Sequence, residues 1–374
     1  MKNQALKKFI SALLCVATIF TVSFASCNGS ENKKDNSGAT MSINPIFCDN
    51  MVLQANKTIR VFGEGDGTAT VTINDVTQQA QSVDGKWLVE LPAFDYGGPY
   101  SVTIQTTDEE KCLQDVYFGD VYLLAGQSNM QFKMKNSSVP RTKWKKNPLI
   151  RYYSLDSLDA YEHFSTEDGW VLADSFANIE YMSAIGYQVG LNVNQATDRA
   201  IGLVACYQGA SVIETWLPED ICAKEEYNQI PEGLKHNDHY ASAYKAWNEK
   251  PGTLYHYMFE KILPFRFADV FWYQGESNTS ELETEIYASM VVDLINRWRA
   301  DLQDQTLPFV LIQIADWNNR RDIGWTGIQA AQETVPTLVD DVIFIVSKDV
   351  CDTTDIHPAD KTALAARISD ALLK

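Results

Sequence analysis

From about residue 115 onward, strand-like apolar runs alternate with stretches long enough to be helices, and this alternation constrains the fold more than any other feature. The runs cover residues 121–125, 200–205, 269–273, 308–314 and 342–346. The helical candidates between and after them cover residues 175–192, 252–263, 280–301, 327–335 and 358–373. Strands joined by helical crossovers favour a parallel sheet with helices on both faces. The expectation for residues 115–374 is a three-layer α/β/α domain with a mostly parallel sheet. Residues 41–114 read differently. Short stretches such as Thr68-Ala69-Thr70-Val71-Thr72-Ile73 lie between Gly-rich turns, which predicts a small β-sandwich domain.

The first 26 residues read as a signal peptide. Lys2, Lys7 and Lys8 precede a mostly apolar stretch over residues 9–24, and the small residues Ala25 and Ser26 follow. The Ala25-Ser26-Cys27 junction resembles a bacterial lipoprotein box. That resemblance implies lipidation of Cys27, with residues 27–40 as a hydrophilic tether. The expected location is exported, either attached to the outer membrane or periplasmic. The other reading is a soluble secreted protein cut near Ala25. The formal charge of −18 disfavours DNA, RNA and anionic lipid as partners, leaving the N-terminal anchor as the expected membrane contact. Seven cysteines at wide, irregular spacing predict neither a disulfide scaffold nor a zinc cluster, although one bridge is allowed.

Three polar clusters follow predicted strands, where open parallel sheets bind ligands. They are Gly126-Gln127-Ser128-Asn129-Met130, Tyr207-Gln208-Gly209-Ala210-Ser211 and Trp272-Tyr273-Gln274-Gly275-Glu276-Ser277-Asn278. A serine leaving a strand can project its hydroxyl while its own N–H faces a bound carbonyl oxygen. Gly209 can bring a second N–H to that point, and Gln274 offers an amide donor. Near the C-terminus, Asp355-Ile356-His357-Pro358 follows the last strand, so that His357 can reach Ser128 as a base. Spacing alone leaves bland readings open. Gln127 and Asn129 also suit a turn, and His357 also suits a helix start with no chemistry. Residues 207–250 are loop-rich, and His236, Asp238, His239 and Tyr240 within them suit a rim or lid.

Taken together, the Ser128, Gln274-to-Asn278 and His357 motifs resemble the sialate O-acetylesterase family of SGNH or GDSL-like hydrolases. Asn50-Met51-Val52-Leu53-Gln54, Asp84-Gly85-Lys86-Trp87, Phe118-Gly119-Asp120-Val121 and Ser183-Ala184-Ile185-Gly186-Tyr187 extend the resemblance from about residue 42 to the end. It implies Ser128 as nucleophile and His357 as general base. It also implies an oxyanion hole of Ser128 N–H, Gly209 N–H and the Gln274 side chain, with no metal and no cofactor. The common pattern places an Asp three residues before the histidine, but Thr354 stands there. Asp355 is the expected orienting acid, with Asp352 and Asp349 as alternatives. A main-chain carbonyl near Asp355, completing a Ser-His dyad, is a further option. Glu276 is expected to be a buried structural carboxylate, and Asn278 is either structural or substrate-facing.

The implied substrate is an acetylated sialic acid or a related acetylated glycan, with acetylated xylan as the alternative. A non-catalytic glycan-binding surface lipoprotein is the reading from a different class. Trp216, Trp317 and Trp325 are candidates for stacking on sugar, and Arg141, Arg151 and Arg320 for meeting a sugar carboxylate.

Overall fold

The computed structural model describes residues 39–159, 162–227 and 244–374. The signal peptide, Cys27 and the candidate lid residues 236–240 lie outside the described residues. In chain order the strands are β1 (Ser42–Ile43), β2 (Val52–Gln54), β3 (Ile59–Glu64), β4 (Thr68–Ile73), β5 (Val76–Gln81), β6 (Lys86–Leu91), β7 (Gly97–Gln105), β8 (Glu110–Gly126), β9 (Asn147–Ser154), β10 (Trp170–Ala173), β11 (Ile201–Tyr207), β12 (Asp269–Tyr273), β13 (Phe309–Ile312) and β14 (Val342–Ile345).

β8 joins the two halves of the sheet. Its first part pairs antiparallel with β7 and parallel with β2. Its last part, from Asp120 to Gly126, lies between β11 and β12 and runs parallel to both. Burial is uneven before residue 118 and continuous from 118 to 126, as expected of a strand that passes from a half-covered sheet into one covered on both faces. β9, β11, β8, β12, β13 and β14 are parallel neighbours, and β10 closes one edge antiparallel to β9. β4, β5 and β7 extend the same hydrogen-bonded network in antiparallel pairs, giving one eleven-stranded sheet. β1, β3 and β6 form a separate three-stranded antiparallel sheet. The large sheet is therefore mixed, in contrast to the mostly parallel sheet expected. The reason is that β8 runs unbroken across residue 115, where the sequence changes character.

The change is marked by backbone as well as composition. Asp115, within β8, sits at φ +57°. The buried Arg151 guanidinium on β9 fastens this point. It donates to the Asp115 carboxylate at 2.9 Å, to the Asp115 carbonyl, and to the Asn50 carbonyl at 2.9 Å.

Alternation along the central strands assigns the layers. Leu123, Val270 and Leu311 pack in one apolar cluster with Val291, Leu294, Trp298 and Ile328, from helices Tyr287–Asp301 and Ile323–Thr334. Leu124, Phe271 and Val310 pack in another with Ile185, Val189, Leu364 and Ile368. Those last four come from helices Ala184–Thr197 and Thr362–Leu372. Helices thus cover both faces of the parallel strands, as a period of two requires. Each fully buried Leu or Val contributes roughly 1.5–3 kcal/mol. The five described cysteines are unbridged. No helix among the described residues is long and apolar enough to cross a membrane.

Candidate active site

Register brings the three motifs together. Gly126 at the end of β8 pairs with Tyr207 at the end of β11 and with Tyr273 at the end of β12. The loops carrying Ser128, Gly209 and Gln274 therefore leave three adjacent strands at one level. Gln127 N–H donates to the Tyr273 carbonyl at 3.0 Å, and Gln208 N–H to the Gly126 carbonyl at 3.1 Å. Gly126 takes φ +126°, and a Cβ there would stand 2.2 Å from the Tyr273 oxygen. Only glycine makes this exit from the sheet. Ser128 then opens the short helix Ser128–Gln131.

His357 Nε2 lies 2.8 Å from Ser128 Oγ. The histidine sits in the loop before helix Thr362–Leu372, not in the helix's first turn, with its ring stacked 6.3 Å from that of Phe132. Burial holds its pKa below the ordinary histidine value, and the Lys361 charge acts in the same direction, against the pull of Asp355. A ring kept neutral near pH 7 has a lone pair with which to accept the serine proton.

The candidate orienting acids are engaged elsewhere. The exposed Asp355 carboxylate accepts from the His357 main-chain N–H at 2.9 Å, and no hydrogen bond joins it to the ring. Asp352 accepts from Thr354 N–H and Oγ1, both at 2.8 Å. Asp349 pairs with Arg367 at 2.6 Å. The loop is held from the other side by Asn129, whose Nδ2 donates to the Ile356 carbonyl at 3.0 Å and to Glu276 Oε1 at 2.6 Å. Lys361 Nζ donates to Asn129 Oδ1 at 2.6 Å. Glu276 is fully buried, and desolvation pushes its pKa up to about 7.

Of the three oxyanion candidates, Gly209 lies beside Ser128 in the wall of one cleft. A Cβ on Gly209 would stand 3.9 Å from the Ser128 Cβ, and 2.7 Å from Gln131 Oε1, so the glycine permits this close approach. Among the described residues, neither Ser128 N–H nor Gly209 N–H donates to a protein acceptor. Gln274 is placed otherwise. Its Nε2 donates to the Ser211 carbonyl at 3.0 Å and to Asn278 Oδ1 at 2.7 Å, while its Oε1 accepts from Tyr287. Wholly buried and with both amide hydrogens committed, it braces the loop beneath the site. Asn278 braces the same loop, donating to Glu214 and Glu283 and accepting from Ile213 N–H.

Ser128, Gly209 and His357 open into a cleft of about 510 Å³, whose walls include Phe132, Lys135, Tyr244 and Trp247. These four were not singled out from the sequence. Trp216 and Trp325 are buried in the core, and Trp317 packs beside Trp325 at 5.6 Å, so none of the three forms the cleft wall. Arg141 pairs with Glu180, Arg151 with Asp115 and Arg320 with Asp322, and none of the three arginines lines the cleft. Lys133, also in the wall, is paired with Glu162. Lys135 lies over the Tyr181 ring at 4.3 Å, with no acid among the described residues in ion-pair range.

A serine within reach of a buried imidazole, beside two unengaged N–H groups, can carry out acyl transfer. Residues 118–374 match the model of a carbohydrate esterase family described as sialic acid-specific acetylesterase. The chain is 28% identical to the sialate O-acetylesterase of Rattus norvegicus, a match that covers 86% of this chain and 71% of that protein. It is also 28% identical to the Homo sapiens sialate O-acetylesterase, over 86% and 68% of the two chains. A carbohydrate acetylesterase from Xanthomonas citri superposes with a TM-score of 0.74 at 26% identity, covering 89% of this chain and 74% of that one.

Proposed function

The chain belongs to the sialic acid-specific acetylesterase family of carbohydrate esterases, and from that premise we propose that it removes O-acetyl groups from acetylated sialic acid through an acetyl-serine intermediate. It is a carboxylic-ester hydrolase. The observation that carries the mechanism is the 2.8 Å contact of His357 Nε2 with Ser128 Oγ inside the cleft.

His357 takes the Ser128 proton as Oγ attacks the acetyl carbonyl. Charge develops on the carbonyl oxygen, beside the N–H groups of Ser128 and Gly209. The protonated imidazole then gives its proton to the departing sugar oxygen. Water, activated by the same ring, releases acetate and restores the serine. The open cleft leaves room for that water.

Several features support a sialic acid as the sugar. The relatives are sialate O-acetylesterases. Phe132, Tyr244 and Trp247 offer apolar faces to a sugar ring, and Lys135 offers a cation to the sugar carboxylate. Acetate release from O-acetylated sialic acid, compared with acetylated xylo-oligosaccharide, tests this. A preference for the xylo-oligosaccharide would move the substrate assignment and leave the chemistry in place.

The basic, apolar and small-residue order ending at Cys27 supports export and a lipid anchor at that cysteine. Fractionation of cells producing the full chain or its Cys27→Ala form tests the anchor. Equal release of both into the soluble fraction counts against it.

A further inference from the structure

The loop of His357 is held through its main chain: the Ile356 carbonyl accepts from Asn129, and the His357 N–H donates to Asp355. Lys361 is fully buried, and no carboxylate among the described residues lies within ion-pair range of it. Its ammonium donates to Asn129 Oδ1 at 2.6 Å and lies over the Phe132 and Tyr273 rings, at 5.3 and 5.6 Å. On the far side of the same amide stand two acceptors, Glu276 Oε1 and the Ile356 carbonyl. Glu276 Oε2 has no partner among the described residues. A buried lysine and a buried glutamate thus meet through an asparagine instead of touching.

An asparagine amide has one accepting end and one donating end, and either could face a given neighbour. An ammonium only donates. With Lys361 on one side, the carbonyl end of Asn129 must face it, and the NH₂ end must face Glu276 and Ile356. The flipped amide would set its hydrogens against the ammonium and its oxygen against two acceptors. Burying an ammonium without a carboxylate partner costs several kcal/mol, so a lysine here calls for a compensating role.

We propose that Lys361 is a positioning residue for ester hydrolysis: by fixing the direction of the Asn129 amide, it holds the Ile356 carbonyl, and with it the His357 loop, against Ser128. This rests on the assignment of Ser128 and His357 as nucleophile and base. Asp355 accepts from the His357 N–H on the solvent side, so both polar groups of the Ile356-His357 peptide are tied. The groups facing the ring are Ser128 Oγ, the Phe132 ring, Lys361 and Asp355, with Lys133 and Lys135 further along the cleft. Lys361 also disfavours a proton on His357, so its removal raises the histidine's pKa.

The test uses the purified protein with p-nitrophenyl acetate, whose small acyl and leaving groups make no use of a sugar subsite. Lys361→Met is expected to lower kcat about 10 to 100-fold with KM changed less than about threefold, the pattern of lost orientation. The acid limb of its pH–rate profile is expected to move to higher pH. Asn129→Asp keeps an acceptor for Lys361 and gives it an ion pair, but removes the donor to Ile356. It also sets an oxygen against Glu276 Oε1 and the Ile356 carbonyl, so it is expected to lose kcat to a similar extent, with its fold checked by circular dichroism. A folded Lys361→Met with wild-type kcat and an unmoved acid limb overturns the proposal. If that variant does not fold, Asn129→Asp decides alone, and wild-type kcat in it overturns the proposal. Wild-type protein that releases no p-nitrophenol overturns the assignment of the site itself, an outcome distinct from both.

Discussion

Two side chains meet at the reacting centre, and their environments differ in a way that separates their roles. Ser128 has an unengaged N–H of its own and a second at Gly209, while His357 is desolvated and kept neutral. Ser128→Ala is expected to reduce acetate release by a factor on the order of 10³ or more, with the fold unchanged by circular dichroism. Residual activity above a tenth of wild type in the folded variant would reject the nucleophile. His357→Ala is expected to be nearly as damaging.

The depressed histidine pKa sets the pH profile. A base must be unprotonated to act, so the acid limb of kcat/KM is expected below the ordinary histidine value of about 6.5, with full activity at neutral pH. An acid limb centred above pH 7 would point to a different base. Asp355 acts on the main chain, so Asp355→Asn keeps an acceptor for the His357 N–H and is expected to stay within about threefold of wild type, since Asn and Asp side chains both make this two-residue turn. Asp355→Ala removes the acceptor, and the looser loop is expected to cost roughly tenfold in kcat/KM. A large loss in Asp355→Asn alone would show that the carboxylate charge itself serves the ring.

At the level of elements, strand register does what no single residue can. Three loops distant in sequence converge because β8, β11 and β12 are neighbours that end at Gly126, Tyr207 and Tyr273. Gly126 makes the first turn out of the sheet. Gly126→Ala would place a methyl group against the main-chain Tyr273 oxygen, which has no rotamer through which to yield. The conformation alone costs about 1–3 kcal/mol. A lowered urea midpoint together with lost activity is the expected outcome, and an unchanged midpoint would contradict it.

This convergence was partly legible in the sequence. Residues 121–125, 269–273 and 342–346 read as strands because they are apolar without long interruption, and the structure has strands there. β9 and β10 did not read as strands. β9 follows the basic run Lys143 to Lys146 and carries Arg151, whose burial is made possible by Asp115 and two main-chain carbonyls that the sequence does not reveal. β5, Val76–Gln81, is polar because its residues are mostly exposed. Ser128, Gly209 and His357 were legible as polar or small residues following strands. Tyr244, Trp247 and Lys135 reach the cleft from segments whose course depends on tertiary packing. Gln274 looked like a donor to substrate because its type and position fit, but Ser211, Asn278 and Tyr287 claim its amide once the loops are in place.

The whole molecule carries 31 basic and 49 acidic side chains, and Asp120, Glu276 and Glu283 are acids buried among the described residues. Asp269 and Glu276 are both desolvated, and burial pushes the pKa of each up to about 7. Unfolding returns them to the ordinary carboxylate range. Between about pH 4 and 7 the folded chain therefore holds protons that the unfolded chain has released, and stability falls as pH rises through this window. Each group contributes up to about 1.4 kcal/mol per pH unit there.

Other groups act with their own signs. Glu219, Asp322 and Glu333 are held below their usual values, and their contribution is lost only as pH falls beneath the ordinary carboxylate range. His357, depressed, opposes the trend just below the ordinary histidine value. His256, raised between Glu219 and Glu260, reinforces it above. Lys361, lowered to about 8, adds stability as pH rises from about 8 toward its ordinary value, outside the window. Two carboxylates against one histidine give a net fall. The urea midpoint is thus expected to be higher near pH 5 than near pH 7, and the combined variant Asp269→Asn, Glu276→Gln to flatten that slope. The amide oxygen introduced by Glu276→Gln would still accept from Asn129, so the loop beneath Ser128 is preserved in the variant. A wild-type midpoint no higher at pH 5, or a combined variant that keeps the wild-type slope, would show that these two acids are ionised in the folded protein.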